Sequence, residues 1–128
     1  MNLKKIVSLL AMCFIAVSVF AQTNKTEVLY FKAQLACCQA NACNTLENDI
    51  KQIVTKNFPK DVAFKQVALA DENNKALVEK HKAKSQTVVL VNSKGAVDVS
   101  DIVRAYVRSS DKDAFEAALV AKIQESIK

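Results

Sequence analysis

The sequence predicts one α/β domain with a mixed central sheet, in the order β–α–β–α–β–β–α, behind a removable leader. Three observations carry this. β-prone apolar runs alternate with stretches whose apolar residues recur at helical spacing. The last two predicted strands are joined by "NSKG", a hairpin signal. The composition, 51% hydrophobic with one Gly and one Pro among 128 residues, supplies a core and few turns, which argues against disorder and for long elements.

The leader comes first. "MNLKK" is a short basic start, "IVSLLAMCFIAVSVF" an uninterrupted apolar run, and "VFA" before "QT" a small-residue cleavage site. This is the pattern of a secretory signal peptide over residues 1–21, cut after Ala21, which leaves residues 22–128 as the domain. The run is short for a membrane span, which needs about 20 apolar residues. Cys13 lies inside it, in "LLAMC", and is read as a removed residue rather than a lipidation site. The expected location is outside the cytoplasm, in the periplasm, with no membrane contact beyond export. Removing Lys4 and Lys5 lowers the formal net charge from +5 to +3. The remaining charge is scattered and not interleaved with aromatics, so no nucleic-acid partner is expected.

"EVLYFKA" (27–33) reads as a buried strand. "CNTLENDIKQIVTKNF" (43–58) places Leu46, Ile50, Ile53, Val54 and Phe58 on one helical face; Asn44 with Glu47 has a capping-box shape, Asn41 is the alternative cap, and Pro59 ends the helix. "DVAFKQVALA" (61–70) reads as the second strand. "DENNKALVEKHKA" (71–83) reads as a short amphipathic helix with Asp71 near its start. In "SQTVVLVNSKGAVDVSD" (85–101), Val88 to Val91 form a strand and "AVDVS" its return. The chain is helical from "DIVRAYV" on, with a break near "RSSDKD" and Phe115, Leu119, Ile123 and Ile127 on one face of the last helix.

The mature chain keeps three cysteines, Cys37, Cys38 and Cys43, within seven positions. An odd count in an exported chain leaves one thiol over. With no distant partner cysteine, a disulfide here closes only a tiny loop and adds little stability. A structural staple is therefore the weakest of three readings. A place at the turn from strand to helix favours thiolates, because a helix N-terminus carries partial positive charge. Lys32 is near in sequence and is read as solvated. Redox chemistry lacks the usual two-residue spacing, and adjacent Cα atoms, about 3.8 Å apart, fall short of the usual disulfide range of about 4.4–6.8 Å. Cys37 or Cys38 pairing with Cys43 depends on the turn. Three converging thiolates make a soft site. The single histidine, His81, is expected on the surface late in the second helix rather than as a fourth ligand.

The element order resembles the thioredoxin-like arrangement, in which chemistry sits after the first strand at the start of the first helix. "VLYFKAQLACCQANAC" resembles the opening of the arsenical metallochaperones of bacterial arsenic-resistance operons: a first strand, two adjacent cysteines, four residues, a third cysteine. That resemblance implies Cys37, Cys38 and Cys43 as ligands of a thiophilic metalloid such as As(III) or Sb(III), or of a soft metal ion, in a metallochaperone-like role. The alternative is a thiol–disulfide oxidoreductase or redox partner, with Cys37 or Cys38 attacking, Cys43 resolving, and a protein as partner. Thioredoxin-like proteins commonly carry a cis-Pro before the third strand, facing the thiols; "KSQTVVLV" puts Gln86 near that place.

Overall fold

The computed structural model describes residues 26–34 and 37–128, with side chains from Asn41 onward in the second segment. The expected leader, Cys13 included, lies outside the described residues. The elements are β1 (Thr26–Lys32), α1 (Cys37–Asn57), β2 (Val62–Ala68), a 3₁₀ turn (Glu72–Asn74), α2 (Lys75–His81), β3 (Val88–Asn92), β4 (Gly95–Asp98), α3 (Ser100–Ser109) and α4 (Lys112–Ile127). One sheet has the strand order β2-β1-β3-β4. β1 runs parallel to β2 and antiparallel to β3, and β4 is antiparallel to β3. This order and these directions make the fold thioredoxin-like, as the sequence predicts.

Strand alternation divides the core. Val28, Tyr30, Val88 and Leu90 point to one face, where Leu46, Ile50, Ile53 and Val54 of α1 meet Val103 of α3 and Phe115, Leu119 and Ile123 of α4. Leu29, Phe31, Val67 and Val89 point to the other, covered by Leu77 and Val78 of α2. β1 is buried on both faces, which is why "VLYF" is apolar without alternation. A polar clamp ties three helices together. Asp49 of α1 accepts from the Tyr106 hydroxyl at 2.8 Å and pairs with Lys112 Nζ at 3.1 Å, and Tyr106 stacks on Phe115 with ring centroids 4.4 Å apart.

The turns follow local chemistry. Asn92 Oδ1 accepts from the Lys94 and Gly95 N–H groups in the hairpin, and Gly95 takes φ +144°, a value that suits a residue without Cβ. Ser110, at φ +56°, breaks α3 from α4, and Asp111 caps α4 by accepting from the Ala114 N–H. Asp71 caps the 3₁₀ turn before α2.

Two expectations are corrected. The first helix starts at Cys37, not Cys43. "CCQANA" contains neither Gly nor Pro and two alanines, so nothing stops the helix there. Asn44 then lies inside α1 and caps nothing, while Glu47 pairs with Lys32. Ile127, expected on the buried face of the last helix, is 41% exposed where α4 ends.

Candidate functional site

β1 delivers the chain to the N-terminal end of α1, a 21-residue helix whose first two residues are Cys37 and Cys38. Its first turn contains no acidic residue to offset the partial positive charge of the unpaired N–H groups. Backbone position thus gives these two cysteines the setting that favours thiolates; their side chains lie outside those described. Cys37 and Cys38 therefore occupy the helix start that the sequence reading assigned to Cys43.

Cys43 sits a turn and a half further along and is different in kind. It is 2% exposed and carries a free thiol. The Tyr30 hydroxyl, on the neighbouring strand, donates to the Cys43 carbonyl at 3.2 Å. Burial, followed by the adjacent Cys43 and Glu47, holds the Tyr30 phenol well above its ordinary pKa, so it remains a neutral donor. On the other side, the Gln86 side-chain amide approaches Cys43 Sγ, with Nε2 at 3.5 Å.

Gln86 is held in place from its backbone. Its N–H donates to the Phe31 carbonyl at 3.0 Å, and the Phe31 N–H donates to the Thr87 carbonyl at 2.9 Å. Gln86 itself takes φ +65°, a left-handed conformation that costs a non-glycine residue on the order of 1 kcal/mol and is kept only where its surroundings impose it. Among the described residues there is no cis peptide bond. The position thus faces Cys43 with an amide side chain.

Two neighbours differ from the sequence reading or refine it. Lys32, read as solvated, forms a 2.8 Å ion pair with Glu47 and is largely shielded, so its charge is spent on that partner one helical turn past Cys43. His81 packs on Phe31, ring centroids 6.0 Å apart, on the opposite face of the sheet from Tyr30 and Cys43.

Helical geometry sets what the three cysteines can do together. At a rise of about 1.5 Å per residue, Cys38 and Cys43 are about 7.5 Å apart along the axis, and Cys37 and Cys43 about 9 Å. Disulfides span Cα distances of about 4.4–6.8 Å. With α1 intact, Cys43 is out of reach of the other two. A disulfide with Cys43 therefore requires the first turns of α1 to unwind.

A cavity of about 850 Å³ opens beyond the C-terminal ends of β1 and β2, lined by Lys32, Gln34, Asn44, Gln66 and Asp71 among others. Neither Cys43 nor Gln86 lines it. A second, of about 360 Å³, runs between the segment before β3 and α3, and Gln86 is part of its wall. Sequence reasoning flagged Gln86 only as a departure from proline. Tyr30 and Glu47 gave no functional signal, because their partners lie 13 and 15 residues away.

No protein-family model matches this sequence, and no curated protein matches it. Solved structures do. A malarial protein is similar at 22% identity and a TM-score of 0.44, over 66% of this chain and 97% of that one. Thioredoxin-2, a component of the malaria parasite's protein secretion machinery, is similar at 25% identity and a TM-score of 0.45, over 66% of this chain and 82% of that one.

Proposed function

We propose that this chain is an exported thiol-exchange protein whose attacking thiolate is Cys37 or Cys38. The observation that carries the reading is the position of these two residues as the first two of α1, directly beyond the central strand of a thioredoxin-like sheet, with no acid in that turn. The thiolate attacks one sulfur of a partner disulfide. A new S–S bond forms, the partner's own S–S bond breaks, and the other sulfur leaves as a thiolate, so nothing is oxidised or reduced overall. A thiolate of a second molecule then attacks the partner's sulfur, joining the two and freeing this chain's thiolate. Alternatively Cys43, when the first turns of α1 open, attacks the Cys37 or Cys38 sulfur, closing an intrachain disulfide and releasing the partner as a thiolate, so that this chain is oxidised and the partner reduced by two electrons. Cys43, buried between Tyr30 and Gln86, is the reserve thiol in this scheme.

A second reading uses the same residues. Cys37, Cys38 and Cys43 together capture a soft ion, As(III) or Sb(III) or a soft metal ion, as three thiolates. It is supported by three thiols in seven positions with no distant partner. We rank it second because it needs Cys43, buried beneath Tyr30 and Gln86, to join the two residues at the helix start.

The test is intact mass of the reduced mature protein after exposure to a peptide disulfide and, separately, to arsenite. Exchange predicts one peptide adduct per chain, kept in Cys43→Ser and lost when Cys37 and Cys38 are both serine. An adduct that survives that double change sinks the exchange reading. Arsenic retained with loss of three protons, and lost in each single Ser variant, makes ion capture the function instead.

A further inference from the structure

We propose that the groove beside Gln86 binds an acidic, extended segment of the partner protein and presents its sulfur to the helix start; this rests on the thiol-exchange reading. The groove, of about 360 Å³, is walled by Lys84 and Gln86 on one side and by Val103, Arg104, Val107 and Arg108 of α3 on the other. Gln86, on its first wall, reaches α1 with Nε2 3.5 Å from Cys43 Sγ.

The composition of this wall is not that of the rest of the surface. The chain has 18 basic residues, of which only Arg104 and Arg108 are arginines. Both stand in this one groove, one turn apart on α3, where residues four apart share a face. Arginine offers a planar fork that matches a carboxylate bidentately, whereas lysine is a strongly hydrated point charge. Asp101 pairs with Arg104 from the preceding turn, at a fully solvated position. Among the described residues, Arg108 and Lys84 have no acidic partner within ion-pair distance. The groove wall thus carries three cationic side chains, of which Arg104 alone is paired.

The groove is also partly apolar. Val103 is buried at its floor, and Val107 is 56% exposed beside the arginines. A bare phosphate or other inorganic anion has no use for such a floor. A nucleic acid would want aromatic stacking platforms, and none lines the groove. A peptide with carboxylates on one side and an apolar residue on the other uses every feature present.

The experiment follows mixed-disulfide formation by the mature protein with two peptide disulfides of equal length. One has glutamates flanking its cysteine, the other glutamines. Electrostatic steering raises association rates by about 10-fold or more at low salt, and about 0.15 M salt, with a Debye length of about 8 Å, weakens it. We expect the glutamate peptide to react about 10-fold faster at low salt. That advantage should vanish in Arg104→Gln/Arg108→Gln. Both arginines are exposed, so folding is not at stake. Lys80→Gln/Lys82→Gln, which removes two exposed charges at α2, should leave the advantage intact. Equal rates for the two peptides, or an advantage that survives the arginine change, overturns the proposal. Should neither peptide exchange, the thiol-exchange reading fails by itself. Fluorescence anisotropy of the labelled glutamate peptide with unmodified and Arg104→Gln/Arg108→Gln protein then decides the groove: arginine-dependent binding supports it, and no binding refutes it.

Discussion

If α1 keeps Cys43 away from Cys38, loosening the first two turns should speed their pairing by a calculable amount. The perturbation is Ala40→Gly with Ala42→Gly, both inside α1 and both before Cys43. Ala42 is exposed, so no packing is lost with its methyl group. Each Ala→Gly change in a helix costs about 0.8–1.0 kcal/mol. Together they favour the unwound form by about 2 kcal/mol, which is about a 30-fold larger open population. If closing from the open form is unchanged, the Cys38–Cys43 disulfide forms about 30-fold faster.

The assay uses Cys37→Ser as background, so that only one pair can form in the mature chain. A mild disulfide oxidant is added and the two-proton mass loss is followed in time. Global unfolding could expose the same pair, so Leu119→Ala serves as control. Leu119 is fully buried in α4, remote in sequence from the helix start, and its truncation lowers global stability by about 2–5 kcal/mol. Local opening predicts that the glycine pair accelerates closure and Leu119→Ala does not. Equal rates with and without the glycines would show that the helix does not separate these thiols, and the reach argument would fall. Acceleration by Leu119→Ala would make global unfolding the route.

Three further outcomes are expected. The Asp49–Tyr106 hydrogen bond joins α1 to α3, so a double-mutant cycle of Asp49→Ala and Tyr106→Phe in urea denaturation should show a coupling of about 1–2 kcal/mol; Lys112, half exposed, should add no more than about 1 kcal/mol. Gln86→Pro removes an N–H that pairs with the buried Phe31 and forbids φ +65°, and should cost about 2–4 kcal/mol, whereas Gln86→Gly, free of the left-handed penalty, should be neutral or gain up to about 1 kcal/mol; similar losses for both would refute the backbone argument. Lys56, then Asn57, holds the Glu116 carboxyl below its ordinary pKa. The stability it contributes is present above the unfolded pKa and lost as pH falls through the folded one, so a denaturation series from about pH 6 to 3 should decline less steeply in Glu116→Gln than in the unmodified chain.

What the sequence revealed depends on how local each cause was. The strands and helices followed from alternation and 3.6-residue spacing, which are properties of neighbours. Leu46, Ile50, Ile53 and Val54 could be assigned to one buried face without knowing what covered them. The break at Ser110 and the hairpin at Gly95 were equally local. The helix start was not, because two rules competed over the same residues. Asn44 and Glu47 have the shape of a cap, yet a capping box needs the glutamate side chain free to reach back. Lys32 at the end of β1 takes that carboxylate once strand and helix pack, and helix-tolerant "CCQANA" lets α1 continue to Cys37.

Gln86 carries the same lesson into the site. The sequence showed which residue stands where a cis-Pro is common, and from that alone the natural reading is a missing feature. The backbone gives a different account. A proline at this position would need a negative φ and would offer no N–H, while here φ is positive and the N–H closes onto Phe31. The segment before β3 is therefore built on another conformation, and glutamine belongs to that conformation. Its side chain then fills the space facing Cys43 with an amide donor. A ring there would leave the sulfur without a hydrogen-bonding neighbour on that side. The amide instead couples the buried thiol to the segment that walls the arginine groove, so contacts made in the groove are one side chain away from Cys43.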